Sequence, residues 1–133
     1  MLRNIRYYWK SIIAILFILY LSFSGPATFD KVPNFTYKDK IAHFILYGGL
    51  TLLLILDHRK HKKNNISYTS FIIYCIIFPI VLGGLVEIFQ KYFFFPRTAE
   101  WLDWLSDIIG VLVGWLVLYL KKMTPTYSTF KSK

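Results

Sequence analysis

Acidic side chains are scarce in this chain: seven Asp and Glu stand against sixteen Lys and Arg, a net charge of +9 over 133 residues. Cysteine is scarcer still. Cys75 is the only one, which excludes an intramolecular disulfide and any CxxC or Cys/His zinc motif. It lies inside an apolar run and reads as a small packing residue. No internal repeat or low-complexity tract occurs. No Ser or Cys stands in a setting that favours a nucleophile, so covalent chemistry through those residues is not expected. A basic balance of this size would point to nucleic acid in a soluble protein. Here Lys and Arg gather in particular loops, and the aromatics flank apolar runs as interfacial anchors do. That distribution argues against nucleic acid.

What is abundant is apolar sequence. Hydrophobic residues make up 56% of the chain and the mean hydropathy is +0.46. A soluble domain of this length has too little interior to hide so much, and apolar stretches near 20 residues read as transmembrane helices. Four such segments occur, over about 7–23, 40–56, 68–94 and 104–120. The expected fold is all-α: one polytopic membrane domain over residues 1–133, with four transmembrane helices in a compact antiparallel bundle and a flexible tail over 123–133. Segment one also fits a secretory signal, with a basic start (Arg3, Arg6, Lys10) and Ser22-Phe23-Ser24 before Gly25 as a small-residue cleavage site. The other three segments hold the chain in the membrane on either reading.

The connections differ in character. Residues 25–38 carry the turn signals Gly25-Pro26 and Pro33-Asn34. Residues 57–65 form a basic stretch, read as a compact loop in which His58 and His61 are solvated. Residues 91–103 carry Phe93-Phe94-Phe95-Pro96, then Arg97 and a Trp101/Trp104 pair at their end, and read as an amphipathic interfacial loop. Eleven Lys and Arg fall in the N-terminus, the 57–65 loop and the tail, against five in the other two connections. The positive-inside rule therefore places both termini in the cytoplasm. Six of the seven acids (Asp30, Asp39, Glu87, Glu100, Asp103 and Asp107) then fall on the outer side, and only Asp57 inside. Acids contribute little to topology, so this asymmetry points to a functional outer face.

Ionisable groups in or against hydrocarbon cost at least about 2.5–3.5 kcal/mol each on insertion scales and usually face other polar groups. Here they recur in order. Asp39, His43 and Tyr47 are spaced by four, with Lys40 alongside; Glu87 and Gln90 are three apart; Asp103 and Asp107 are four apart, with Gly110 and Gly114 continuing the stripe. Three helices thus each present a polar face at similar depth, which favours one shared site. Gly110-x-x-x-Gly114 suits close helix packing, and Pro79 is placed to free a carbonyl in segment three. Taken singly, each residue has a plainer role. Asp39 and Lys40 fit a cap and an anchor, Arg97 fits snorkelling to headgroups, and Asp103 and Asp107 fit the N-terminal dipole of segment four. Taken together they choose one leaflet.

The succession Asp39-Lys40-x-x-His43-x-x-x-Tyr47, Gly83-Gly84, Glu87-x-x-Gln90, Arg97 and Asp103-x-x-x-Asp107-x-x-Gly110-x-x-x-Gly114 resembles the VanZ-like family over residues 39–114. These are small bacterial membrane proteins named after an accessory determinant of teicoplanin resistance. The resemblance implies a cell-envelope role at the bacterial inner membrane and an influence on glycopeptide susceptibility, without assigning a reaction. Asp107 stands where the family more often has Asn.

Two functions follow as expectations. In the first, an outer-leaflet site binds or processes a lipid-linked or cell-wall-related substrate. Glu87, His43, Asp103 and Asp107 are its catalytic candidates, and Asp39, Lys40, Tyr47, Gln90 and Arg97 bind the substrate. In the second, the polar network holds the bundle together and the protein acts by contacting other envelope proteins. Ion passage is disfavoured, because segments three and four carry no ionisable group deeper toward the cytoplasm. A divalent ion between His43 and the carboxylates would compete with Lys40 and Arg97 as counter-charge, so no metal and no cofactor are assigned.

Overall fold

The computed structural model describes residues 6–24, 37–62, 67–93 and 100–123. All regular structure among them is helical. Helix α1 is Trp9–Phe23 and α2 is Lys38–Lys62. Helix α3 runs over Tyr68–Phe93, and α4 over Trp101–Met123. Helices α2, α3 and α4 are long and apolar enough to cross a membrane, whereas α1 has 15 residues and falls short of that length. Arg97, the Gly25 junction and the tail from residue 124 lie outside the described residues.

The surface of the bundle is apolar, as a hydrocarbon solvent requires. Leu16 and Ile45 are each 61% exposed, and Leu85, Ile88, Leu112 and Leu116 are exposed as well. A continuous apolar exterior of this kind marks contact with lipid, and the chain is a membrane protein on this evidence and on helix length. The interior is small. Ile18, Tyr47, Leu50, Leu54, Ile55, Cys75 and Val111 form one buried cluster.

The chain alternates in direction. Ser11 of α1 meets Asp57 near the end of α2, and Trp104 of α4 meets Ile80 of α3. Helices α2 and α4 therefore run parallel, and they make the closest contact in the bundle. A Cβ on Gly48 would lie 3.1 Å from the carbonyl oxygen of Gly110, and one on Gly114 would lie 2.7 Å from that of Gly48. At Gly110 it would run into the carbonyl of Phe44. Backbone packs on backbone here, as small residues permit in membranes. The face of α2 toward α4 runs through Lys40, His43, Phe44 and Gly48.

Three features differ from the sequence-based expectation. Residues 57–62 are the last turns of α2 rather than a loop. Arg59, Lys60, His61 and Lys62 lie in the final turn, where cations favour the negative end of the helix dipole. His58 is fully buried rather than solvated: its Nδ1 shares a 2.8 Å hydrogen bond with the Tyr8 hydroxyl, and its ring packs near Phe71 and Tyr74. His61 packs against the rings of Tyr7 and Tyr8. The fourth helix also begins three residues earlier than expected, at Trp101. Within α3, the stretch Ile73–Ile77 just before Pro79 is a π-helical turn, a wider winding that accommodates the donor missing at proline.

Asp57 is 2% exposed and does the work of a missing cap. Tyr8, at the N-cap of α1, makes no side-chain capping bond. Instead the Ser11 backbone N–H and hydroxyl both donate to Asp57 Oδ2, at 3.2 and 2.8 Å. The first turn of α1 is thereby capped from another helix, with a carboxylate at the positive end of the dipole. Asp57→Ala is expected to lower stability by about 1–3 kcal/mol and to speed amide exchange at the start of α1; Asp57→Asn, which keeps an acceptor oxygen, costs less. Gly114→Ala is expected to cost about 1–3 kcal/mol in detergent unfolding. Gly49→Ala, where a Cβ meets nothing within 4 Å, stays within about 0.5 kcal/mol of the native chain.

Candidate functional site

The opposite end of the bundle holds the ordered polar residues. From His43 to His58 the rise along α2 is about 22 Å, so the two polar ends are far apart. Lys40, His43 and Tyr47 enter the site from α2, Glu87 from α3, and Asp103 and Asp107 from α4, with Glu100 just before its first turn. Three glycine-lined contacts set the depth at which they meet. The α2–α4 crossing at Gly48, Gly110 and Gly114 brings His43 against Asp107. On α3, a Cβ at Gly83 would lie 2.5 Å from Asp107 Oδ2, and one at Gly84 would lie 3.2 Å from the Trp104 indole nitrogen. The bare backbone at these positions makes room for both α4 side chains. Trp104 then donates its indole N–H to the Ile80 carbonyl at 2.9 Å.

His43 is the centre of the cluster. Its Nδ1 lies 2.9 Å from Asp107 Oδ1, and its Nε2 lies 3.7 Å from Glu87 Oε1. Asp107 is fully buried and Glu87 is 6% exposed. Glu87 Oε2 accepts the backbone N–H of Glu100 at 3.3 Å, which ties the start of α4 to the end of α3. Tyr47 is fully buried with its ring parallel to that of His43, centroids 6.3 Å apart. Lys40 sits farther out, with Nζ 2.7 Å from Glu100 Oε2 and 3.2 Å from Asp103 Oδ1. Several buried polar atoms have no hydrogen-bond partner: Tyr47 Oη, Glu87 Oε1 and Asp107 Oδ2. Each unsatisfied group costs about 1–3 kcal/mol and calls for an explanation.

Of the residues expected in the site, the structure brings together Lys40, His43, Tyr47, Glu87, Asp103 and Asp107. Asp39 is exposed and stands apart. A spacing of four advances 400° around a helix, so each step from Tyr47 back to Asp39 rotates the stripe by about 40°. Lys40, seven residues before Tyr47, stays within about 20° of it and takes the inward place. Gln90 is buried and turns toward α1, donating from Nε2 to the Ser22 carbonyl at 2.7 Å. It fastens α1 to α3 rather than lining the cluster. Arg97 lies outside the described residues. Glu100 was not among the expected site residues, yet it joins the cluster. Its place one turn before Asp103 was the available signal.

Beside the cluster, between α3 and α4, lies an apolar groove of about 520 Å³. Val81, Leu85, Ile88, Trp101 and Trp104 form its walls, Gly84 its floor, and Glu87, Lys91 and Glu100 its polar end. The volume is within the range of small-molecule sites, about 300–1,000 Å³. An imidazole held by one carboxylate and facing another is suited to proton transfer, and the groove offers an apolar body a place beside it.

No protein-family model matches the chain, and no curated protein or solved structure matches it.

The depth of Asp107 rests on Gly83. Gly83→Ala is expected to drive the carboxylate off His43 and to cost about 1–3 kcal/mol. In a double-mutant cycle with Asp107→Asn the two losses should not add, because they remove the same contact; detergent unfolding of the two single variants and the double variant checks this.

Proposed function

We propose that this chain is a VanZ-like protein of the bacterial cytoplasmic membrane, with four spans and both termini in the cytoplasm. Its polar site lies in the non-cytoplasmic leaflet and binds or processes a lipid-linked or cell-wall-related amphiphile, and through it the protein influences glycopeptide susceptibility. The observation that carries this reading is the adjacency of the buried His43–Glu87–Asp107 cluster to the apolar groove between α3 and α4. An amphiphile entering sideways from the bilayer would leave its chain against Val81, Leu85 and Ile88, with its headgroup at Glu87, Lys91 and Glu100. Lys91 supplies a cation for an anionic headgroup, and His43 with Glu87 supplies a proton donor and acceptor for hydrolysis or headgroup transfer. The excess of Lys and Arg at the other end supports the assigned orientation.

A second reading has an observation of its own. Asp107 is fully buried at the α2–α4 crossing and bonded to His43, so the network also holds the bundle, and the protein would then work by contact with other envelope proteins. Accumulation separates the two. Under the first reading, Glu87→Gln and His43→Ala reach normal levels in the membrane but lose the envelope phenotype. Under the second, level and phenotype fall together.

Native mass spectrometry of the gently purified full chain tests the first reading directly. Wild-type protein should retain a lipid or lipid-linked species, and Leu85→Trp, which fills the groove, should retain at least tenfold less. Wild-type protein free of any retained amphiphile, with an unchanged phenotype in Glu87→Gln, would contradict it. Reporter fusions at the tail and at residue 97 should report cytoplasmic and non-cytoplasmic sides respectively.

A further inference from the structure

Glu87 Oε1 is one of several unsatisfied buried polar atoms among the described residues. It belongs to a carboxylate that is 6% exposed and has no hydrogen-bond partner, although the other oxygen of the group is satisfied by the Glu100 N–H. It faces His43 Nε2 at 3.7 Å, too far for a hydrogen bond. Two donor atoms sharing one ion at about 2.0–2.2 Å each, at a tetrahedral angle, stand about 3.3–3.6 Å apart. The observed gap is close to that separation.

The surroundings complete the pattern. His43 Nδ1 is held at 2.9 Å by Asp107 Oδ1, and Asp107 is fully buried. A carboxylate on one imidazole nitrogen fixes the ring and directs the other nitrogen outward, which is how metal-binding histidines are oriented. One donor atom each from His43, Glu87 and Asp103 lies within 4.8 Å of the other two. These three residues sit on three different helices, so their positions are set by helix packing. Lys40 does not remove the need for a cation at the centre. It reaches Glu100 and Asp103 at the outer edge, leaving Glu87 Oε1 without compensation.

We propose that His43 Nε2, Glu87 and Asp103 bind one divalent first-row transition-metal ion, zinc or manganese, with Asp107 as the positioning residue behind the imidazole. One nitrogen and two carboxylate oxygens suit such an ion better than calcium or magnesium, which favour all-oxygen sites. Three protein ligands leave a coordination position for water or for an oxygen of a bound ligand. The sequence reading assigned no metal because Lys40 and Arg97 offered counter-charge; of the three ligands Lys40 meets only Asp103, at 3.2 Å. The ion site stands independently of the amphiphile proposed above.

The test uses the full chain in detergent, stripped with a chelator and then given zinc chloride alone or manganese chloride alone. One ion per chain should remain after gel filtration, with a raised thermal midpoint. Glu87→Gln and Asp103→Asn should each weaken binding at least tenfold. Asp107→Asn should weaken it about 10–100-fold, and His61→Ala should leave it unchanged. X-ray absorption of the wild-type zinc form should show nitrogen and oxygen neighbours only, a readout that does not depend on any variant folding. Folded wild-type protein that retains neither ion, retention undiminished in Glu87→Gln, loss in His61→Ala, or a sulfur neighbour would each overturn the proposal. The first of these outcomes would favour a protonated His43 bridging Glu87 and Asp107. Retained amphiphile is read separately in the metal-free protein, so failure of the ion site and failure of the proposed function remain distinguishable.

Discussion

The close crossing of two parallel helices, α2 and α4, is the contact on which the rest of the structure depends. Backbone meets backbone at Gly48, Gly110 and Gly114, and no side chain could be added there without pushing the helices apart. That approach sets the depth of Asp107 and so places it against His43. Helix α3 then docks through Gly83 and Gly84, against Asp107 and Trp104, and contributes Glu87. The polar cluster is therefore a consequence of glycine placement on three helices. In hydrocarbon, where apolar burial drives little association, close packing and interhelical hydrogen bonds carry the bundle.

The two ends of the bundle use polar residues differently. Around Asp57, Ser11 donates twice to one carboxylate oxygen and Tyr8 pairs with His58, while His58 Nε2 and His61 Nδ1 have no hydrogen-bond partner. That arrangement fastens α1, whose own N-cap residue makes no capping bond. Around His43 the polar groups outnumber their partners, with oxygens of Tyr47, Glu87 and Asp107 left over. An apolar groove opens next to that end. Unpaired polar atoms occur at both ends, and the adjoining groove is what sets the His43 end apart as a binding site.

Much of this was legible in the sequence. Apolar length located the helices to within about three residues, except that α2 runs six residues past its expected end, and the spacing of His43, Tyr47, Glu87, Asp103 and Asp107 pointed to one shared cluster. What periodicity could not supply was which flank of a stripe faces the neighbour. A spacing of four suits Asp39 and His43 equally well as a face, yet Lys40, seven residues before Tyr47, takes the inward place and reaches Asp103. Gln90 shares a face with Glu87 but reaches across to Ser22, a partner 68 positions away. The basic stretch after Asp57 looked like a loop because its composition is polar. Its helical state is favoured by cations at the negative end of the dipole and by burial of Asp57 and His58, and that burial is tertiary.

The most direct measurement of the central contact is solid-state NMR of the chain in lipid bilayers, with the His43 imidazole and the Asp107 carboxylate isotopically labelled. A through-space correlation between Nδ1 and that carboxylate, at a separation near 2.9 Å, is the expected result. A water-exchanging His43 imidazole with no correlation to Asp107 would contradict the account.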